Sequence, residues 1–228
     1  MDEKEKNRLL SDYLARFISG NRQNFVERVL DQRTRHVTVV LEDIYQSQNA
    51  SAVVRTCECM GIQEVHIIEG ESKYSVNRKV LKGSYKWIDL IKHSGKNRNN
   101  TAVCFEHLRA KGYKIAATDP SPEGLSIHEI PIHDKIALVM GNELKGTSAY
   151  AIEHADMKVR IPMFGFTESM NISVSAAICI GAIAPALRNS EINWQLSTEE
   201  KDELRLCWFK KMVRKPEILE REFMKSIG

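Results

Sequence analysis

No run of about twenty apolar residues occurs in the chain, so the sequence supplies no segment able to span a bilayer as a helix. The apolar block of a secretory signal is missing as well, because residues 2–6 are all charged. Cysteine is sparse and its pattern is unpaired. The five thiols (Cys57, Cys59, Cys104, Cys179, Cys207) are scattered and odd in number, and Cys57 and Cys59 lack a second pair at zinc spacing. Reduced, mostly buried thiols, no metal and a cytoplasmic setting are therefore expected. Neither a G-x-G-x-x-G fingerprint nor a Walker loop is present, which disfavours an ordinary dinucleotide or nucleoside-triphosphate site. No repeat, low-complexity block or Pro/Gly-rich linker divides the chain. A strong charge imbalance is also lacking, since the net charge is only +3.

What is present is alternation. Leu10, Tyr13, Leu14 and Phe17 recur at helical spacing with Gly20 as a stop, and a second helix is expected over 24–31 with Phe25 and Val29 inward. The β-branched run 36–41 then predicts a buried strand, and 49–60 a helix closed by Gly61. Strands are expected at 64–68, 87–91, 114–118, 136–140 and 157–161, and helices at 101–111, 147–154 and 172–188. Such alternation implies an α/β fold, a mostly parallel sheet with helices on both faces. The divisions are 1–35, an N-terminal helical extension; 36–190, the α/β domain; and 191–228, a C-terminal helical extension. In the last, Leu204, Trp208 and Met212 form an apolar stripe expected to pack on a partner subunit or the sheet.

Charge clusters where net charge does not show it. Arg16, Arg22, Arg28, Arg33 and Arg35 crowd one stretch, and Lys210, Lys211, Arg214 and Lys215 another. Either can hold phosphate backbones, and either can equally be a solvated helix face.

The densest information lies in 137–181. Asn142, Glu143, Ser169, Asn171 and Ser173 stand at strand ends and helix starts, where backbone amides and short polar side chains make a rigid set of donors. Open α/β sheets bind ligands beyond the carboxyl ends of their strands. The loops after Leu41, Thr118, Met140 and Ile161 are candidates for one crevice.

Three ordered motifs then support a family resemblance. They are Asn49-Ala-Ser-Ala-Val-Val-Arg55-Thr56; Leu138-Val-Met-Gly141-Asn-Glu143-Leu-Lys-Gly146; and Ile161-Pro-Met163-x-Gly165-x-x-x-Ser169-Met170-Asn171-Ile-Ser173. Across residues 30–190 the chain resembles the SpoU (TrmH-type) RNA ribose 2′-O-methyltransferases of the SPOUT superfamily, and most of all those that methylate guanosine 18 of tRNA. The resemblance implies a C-terminal deep trefoil knot, an exception to unthreaded topology. It further implies a homodimer and S-adenosyl-L-methionine held among Thr118, Met140, Gly141, Ile161, Met163 and Met170. It places Arg55 at the reacting ribose, and Asn49, Glu143, Ser169 and Asn171 around it as catalytic candidates. RNA, tRNA above all, becomes the implied partner, gripped by Arg16, Arg22, Arg28, Arg33 and Arg35.

Each residue also has a plainer role. Asn49 and Asn171 suit helix N-caps, Arg55 a surface ion pair, and Ser173 the helix itself. His36, His66 and His128 are expected to be ordinary packing. One stretch departs from the family pattern: residues 42–48 are acidic or neutral where many tRNA-type relatives are basic, which bears on the nucleotide chosen. The competing readings are a ribosomal RNA methyltransferase, a catalytically silent RNA-binding factor on the same fold, and an α/β small-molecule enzyme.

Overall fold

The computed structural model describes residues 2–75 and 77–227. In chain order its elements are α1 (Glu3–Ala15), α2 (Gly20–Leu30), β1 (Val37–Glu42), α3 (Ser47–Cys59), β2 (Glu64–Ile68), α4 (Arg78–Leu81), β3 (Asp89–His93), α5 (Asn100–Ala110), β4 (Tyr113–Thr118), β5 (Leu125–Ser126), β6 (Lys135–Met140), α6 (Ala149–Glu153), β7 (Met157–Arg160), α7 (Ile172–Arg188), α8 (Thr198–Met212) and α9 (Pro216–Ile227). The chain falls into two compact units, Thr34–Trp194 and Met1–Arg33 with Gln195–Gly228.

The larger unit is built on a seven-stranded sheet of order β3-β2-β1-β6-β4-β7-β5, with every pairing parallel. Parallel neighbours need crossover helices, and those helices cover both faces. The alternation within β1 shows the consequence. Val37, Val39 and Leu41 face Val53, Val54 and Cys57 of α3 and Ile172, Ala176 and Ile180 of α7. Val40 turns the other way, into a cluster with Cys104, Phe105 and Leu108 of α5. All six residues of β1 are buried, which is why its sequence is mostly apolar and lacks the regular alternation of a half-exposed strand.

Five of the six expected strands lie within one residue of their predicted ends. The strand expected at 87–91 instead starts at Asp89, because Gly83 (φ +91°) opens a 3-10 turn over Ser84–Lys86. The Trp87 carbonyl accepts from Gln63 Nε2 instead of joining the sheet. The two-residue β5 and the four-residue α4 are too short to leave a periodic signal.

The smaller unit is helical and unites the two extensions that the sequence suggested as separate. α8 packs on α1 and α2, and α9 on α1. The stripe on α8 thus has its partner within the chain: Leu204 and Trp208 are buried in this unit, which corrects the expectation of a second subunit or the sheet. Two helix details also differ. Gly20 opens α2, following Ser19 as N-cap, instead of closing α1. Val26 and Leu30 form the buried face, while Phe25 is exposed under the Arg28 guanidinium at 5.1 Å.

Candidate active site

Strands β1, β6, β4 and β7 are consecutive in the sheet, so their carboxyl ends form one edge. The chain builds β1, β2 and β3 outward to one side and then crosses over to β4, with β6 later filling the gap between β1 and β4. An order reversal of this kind opens a crevice above the strand ends.

The loop after β6 closes on itself. Asn142 and Gly146 exchange backbone hydrogen bonds of 2.9 and 2.8 Å. A Cβ on Gly141 would lie 2.1 Å from the Thr147 nitrogen, so only glycine allows the loop to return this close. From that loop Glu143 reaches toward the β1 side. Its carboxylate accepts from the Tyr45 N–H (2.9 Å), the Gln46 N–H (3.3 Å) and Asn49 Nδ2 (2.9 Å). Asn171 Nδ2 donates in turn to Asn49 Oδ1 at 3.3 Å, and Asn171 Oδ1 accepts from the Ser173 N–H at 2.9 Å, capping α7. One residue from each of the three sequence motifs therefore meets in a single hydrogen-bonded chain, Glu143–Asn49–Asn171. Asn171 is both cap and link. Asn49, by contrast, lies inside α3, whose N-cap is Gln46.

Arg55 stands six residues beyond Asn49 on α3, nearly two turns along. It is exposed, and its one hydrogen bond among the described residues runs to the Val80 carbonyl at 3.4 Å. Arg55 is outside the Glu143–Asn49–Asn171 chain. Ser169 is exposed and makes no hydrogen bond to the described residues.

The residues expected at a cofactor divide by depth. Thr118 ends β4, and its hydroxyl is occupied by the Val139 carbonyl (2.8 Å). Met140 is buried at the end of β6, Ile161 and Met163 are half-buried after β7, and Met170 is exposed. Apolar walls beside backbone groups of three adjacent strand ends suit a flat heteroaromatic ring bound mainly through main-chain atoms. This donor set fits an adenosine-type group.

Two acids escaped sequence reasoning. Glu42, buried at the end of β1, accepts from Thr101 Oγ1 (2.7 Å) and from the N–H and hydroxyl of Ser148 (2.9 and 2.8 Å). Asp43 adopts φ +49°, receives the Gly70 and Ser72 N–H groups, and offers its carbonyl to Asn142 Nδ2 at 2.6 Å. Asp tolerates that left-handed conformation better than most residues. The acidic pair that departs from the family pattern thus organises the loops. The signal available was its place, directly after a buried strand.

Of the arginines expected at RNA, Arg16, Arg22 and Arg28 are exposed. Arg33 and Arg35 are corrections. Arg33 is 1% exposed, with its guanidinium 5.4 Å from the Trp208 ring centre. Arg35 is half-buried and paired with Asp89 at 2.8 Å. Buried or paired guanidinium groups are not placed to receive a phosphate without rearrangement. No helix among the described residues is long and apolar enough to cross a membrane.

Comparison with known proteins places this geometry. The model of the SpoU rRNA Methylase family matches residues 36–181. A tRNA (guanosine(18)-2′-O)-methyltransferase of Borreliella burgdorferi is 40% identical over 91% of this chain and 93% of its own. The crystal structure of a TrmH/SpoU tRNA modifying enzyme from A. aeolicus superposes with a TM-score of 0.75 at 29% identity, covering 86% of this chain and 98% of that one. The SpoU methyltransferase AviRb from Streptomyces viridochromogenes, solved in complex with AdoMet, shares the fold at a TM-score of 0.56 and 17% identity, over 72% of this chain and 62% of that one.

Proposed function

Because the chain belongs to the SpoU methylase family, we propose that it transfers a methyl group from S-adenosyl-L-methionine to the ribose 2′-hydroxyl of guanosine 18 in tRNA. The observation that carries the reading is the Glu143–Asn49–Asn171 chain, which ties the three motifs together above adjacent strand ends.

Thr118, Met140, Gly141, Ile161, Met163 and Met170 would hold the cofactor, which supplies an electrophilic sulfonium methyl group when bound. A ribose hydroxyl is a weak acid, so the protein's task is to fix the oxygen in line with the methyl carbon and to stabilise the charge that develops on it. Arg55 meets that task as a donor. A guanidinium has no acceptor atom, so Arg55 holds an RNA phosphate and the developing alkoxide, and the proton leaves to water or a phosphate oxygen. Glu143 acts indirectly, orienting Asn49 and the loop before it. Ser169 and Asn171 contact the ribose from the start of α7.

The same reading makes the enzyme a homodimer with its C-terminal segment knotted. Phe164 is 98% exposed, Phe166 is fully exposed and Leu144 is 78% exposed, an apolar surface that a second copy would cover. Exposed Arg16, Arg22 and Arg28 supply phosphate contacts, which give affinity without sequence information; target choice comes from loop shape.

The test is transfer of label from S-adenosylmethionine into purified tRNA and ribosomal RNA, by wild type and by Arg55→Ala. Label at the guanosine 18 ribose that disappears in the variant supports the proposal. Label confined to ribosomal RNA moves the substrate and leaves the chemistry. Cofactor binding without transfer to any RNA makes the chain a silent binder, and no cofactor binding overturns the reading.

A further inference from the structure

Away from the candidate active site, three elements bring a second group of reactive side chains together. In the β2–β3 register His66 faces Ile91 and Ile68 faces His93, so the two histidines occupy the same face of the sheet. α5 crosses that face and contributes Cys104, with His107 one turn further on. His66 and Cys104 are fully buried and His93 is 5% exposed.

The polar contacts have a direction. Glu64 Oε1 lies 2.7 Å from His66 Nε2, and the same carboxylate is 3.2 Å from Lys111 Nζ. With the proton of His66 on Nε2, its Nδ1 presents a lone pair toward His93 Nε2, 2.8 Å away. The ligand atoms of His66, His93 and Cys104 all lie within 4.8 Å of one another. Zinc bonds of about 2.0–2.1 Å to nitrogen and about 2.3 Å to sulfur put neighbouring tetrahedral ligands roughly 3.3–3.7 Å apart. Small side-chain shifts would meet that spacing.

We propose that His66, His93 and Cys104 form a buried site for a thiophilic divalent cation, Zn2+, with Glu64 orienting His66 from behind. A carboxylate hydrogen-bonded to the far nitrogen of a ligating imidazole fixes its tautomer and raises its basicity. Burial and the neighbouring His66 and His107 hold His93 down at about 4, so its imidazole is neutral near pH 7 and has a lone pair to give. Burial pushes the Cys104 thiol well above its ordinary range, and a bound cation reverses this by deprotonating a coordinating thiol outright. Cation binding releases that proton to solvent. The bound ion would staple edge strand β3 to β2 and α5. The ligands are scattered over positions 66, 93 and 104 on three elements, so no motif in the sequence reveals them.

Titration of the metal-free full chain with Co2+ and then Zn2+ tests the site. The expected result is one equivalent of Co2+ giving a thiolate charge-transfer band in the near ultraviolet. The band should be displaced by Zn2+, absent in Cys104→Ser and retained in Cys179→Ser. A band that survives Cys104→Ser, or no band with wild type, overturns the proposal and leaves a hydrogen-bonded histidine pair. Should Cys104→Ser fail to fold, zinc-edge X-ray absorption of the wild type decides: one sulfur at about 2.3 Å with nitrogens at about 2.0 Å supports the site, and a shell of nitrogen and oxygen alone refutes it.

Discussion

Two carboxylates in the sheet unit each anchor a chain of polar side chains, and their surroundings give them opposite roles. Glu143 holds Asn49, and through it Asn171, on a half-buried edge where water competes for every bond. Glu64 holds His66, and through it His93, beneath α5. For Glu64, burial would raise the acid's pKa. The hydrogen bonds from His66 and Lys111 and the charge of Lys111 outweigh it, and the carboxyl is drawn down to about 2. Hydrogen bonds at a wet edge contribute modestly to stability and mainly fix geometry. In a sealed site the same bonds are structural, because losing one partner strands the other.

Four substitutions separate these roles, in falling order of expected effect. Arg55→Ala lies at the wet edge and, under the proposed function, loses a donor at the reacting oxygen. Methyl transfer should fall about 10²–10³-fold, with S-adenosylmethionine affinity and Tm unchanged. A loss below fivefold in single-turnover assays would remove Arg55 from the chemistry. Glu64→Ala should do the reverse, costing roughly 3 kcal/mol in urea unfolding while initial rates at low temperature stay within about twofold of wild type. If the rate collapses while stability holds, the division into working edge and structural interior fails.

The third substitution, Glu143→Ala, leaves the Tyr45 and Gln46 N–H groups and Asn49 to water. About tenfold lower kcat, equivalent to about 1.4 kcal/mol of barrier, is expected with a stability change near 1 kcal/mol. Unaltered kcat would show that the loop does not need its anchor. The mildest is Asn171→Ser, which keeps a capping oxygen for α7 but is too short to reach Asn49. Stability should stay within about 0.5 kcal/mol. A several-fold drop in kcat would then separate the role of Asn171 at the site from its role as cap, and a fall in Tm with full activity would make Asn171 a cap alone.

Much of this was legible along the chain, for a physical reason in each case. Strands with most of both faces buried are mainly apolar or β-branched, so β1, β2, β4 and β6 announced themselves. Gly141 was legible because a close backbone approach tolerates no Cβ. Errors gathered where a three-dimensional neighbour overrode local pattern. Phe25 fits a helical apolar spacing, yet Val26 and Leu30 turn inward. Arg33 and Arg35 read as a basic surface patch, but one is buried near Trp208 and the other is paired with Asp89, which lies 54 residues further along.

By itself the sequence determined the α/β alternation, the three motifs and the residue types at the strand ends, because period, turn chemistry and short-range steric demands are written in local order. Only the tertiary structure decided which of those residues touch. It joined Glu143 to Asn49 across 94 positions, set α8 on the N-terminal helices, and gathered His66, His93 and Cys104 beneath one helix. A hydrogen bond or a ligand set depends on distance through space, and in a crossover fold that distance bears no fixed relation to distance along the chain.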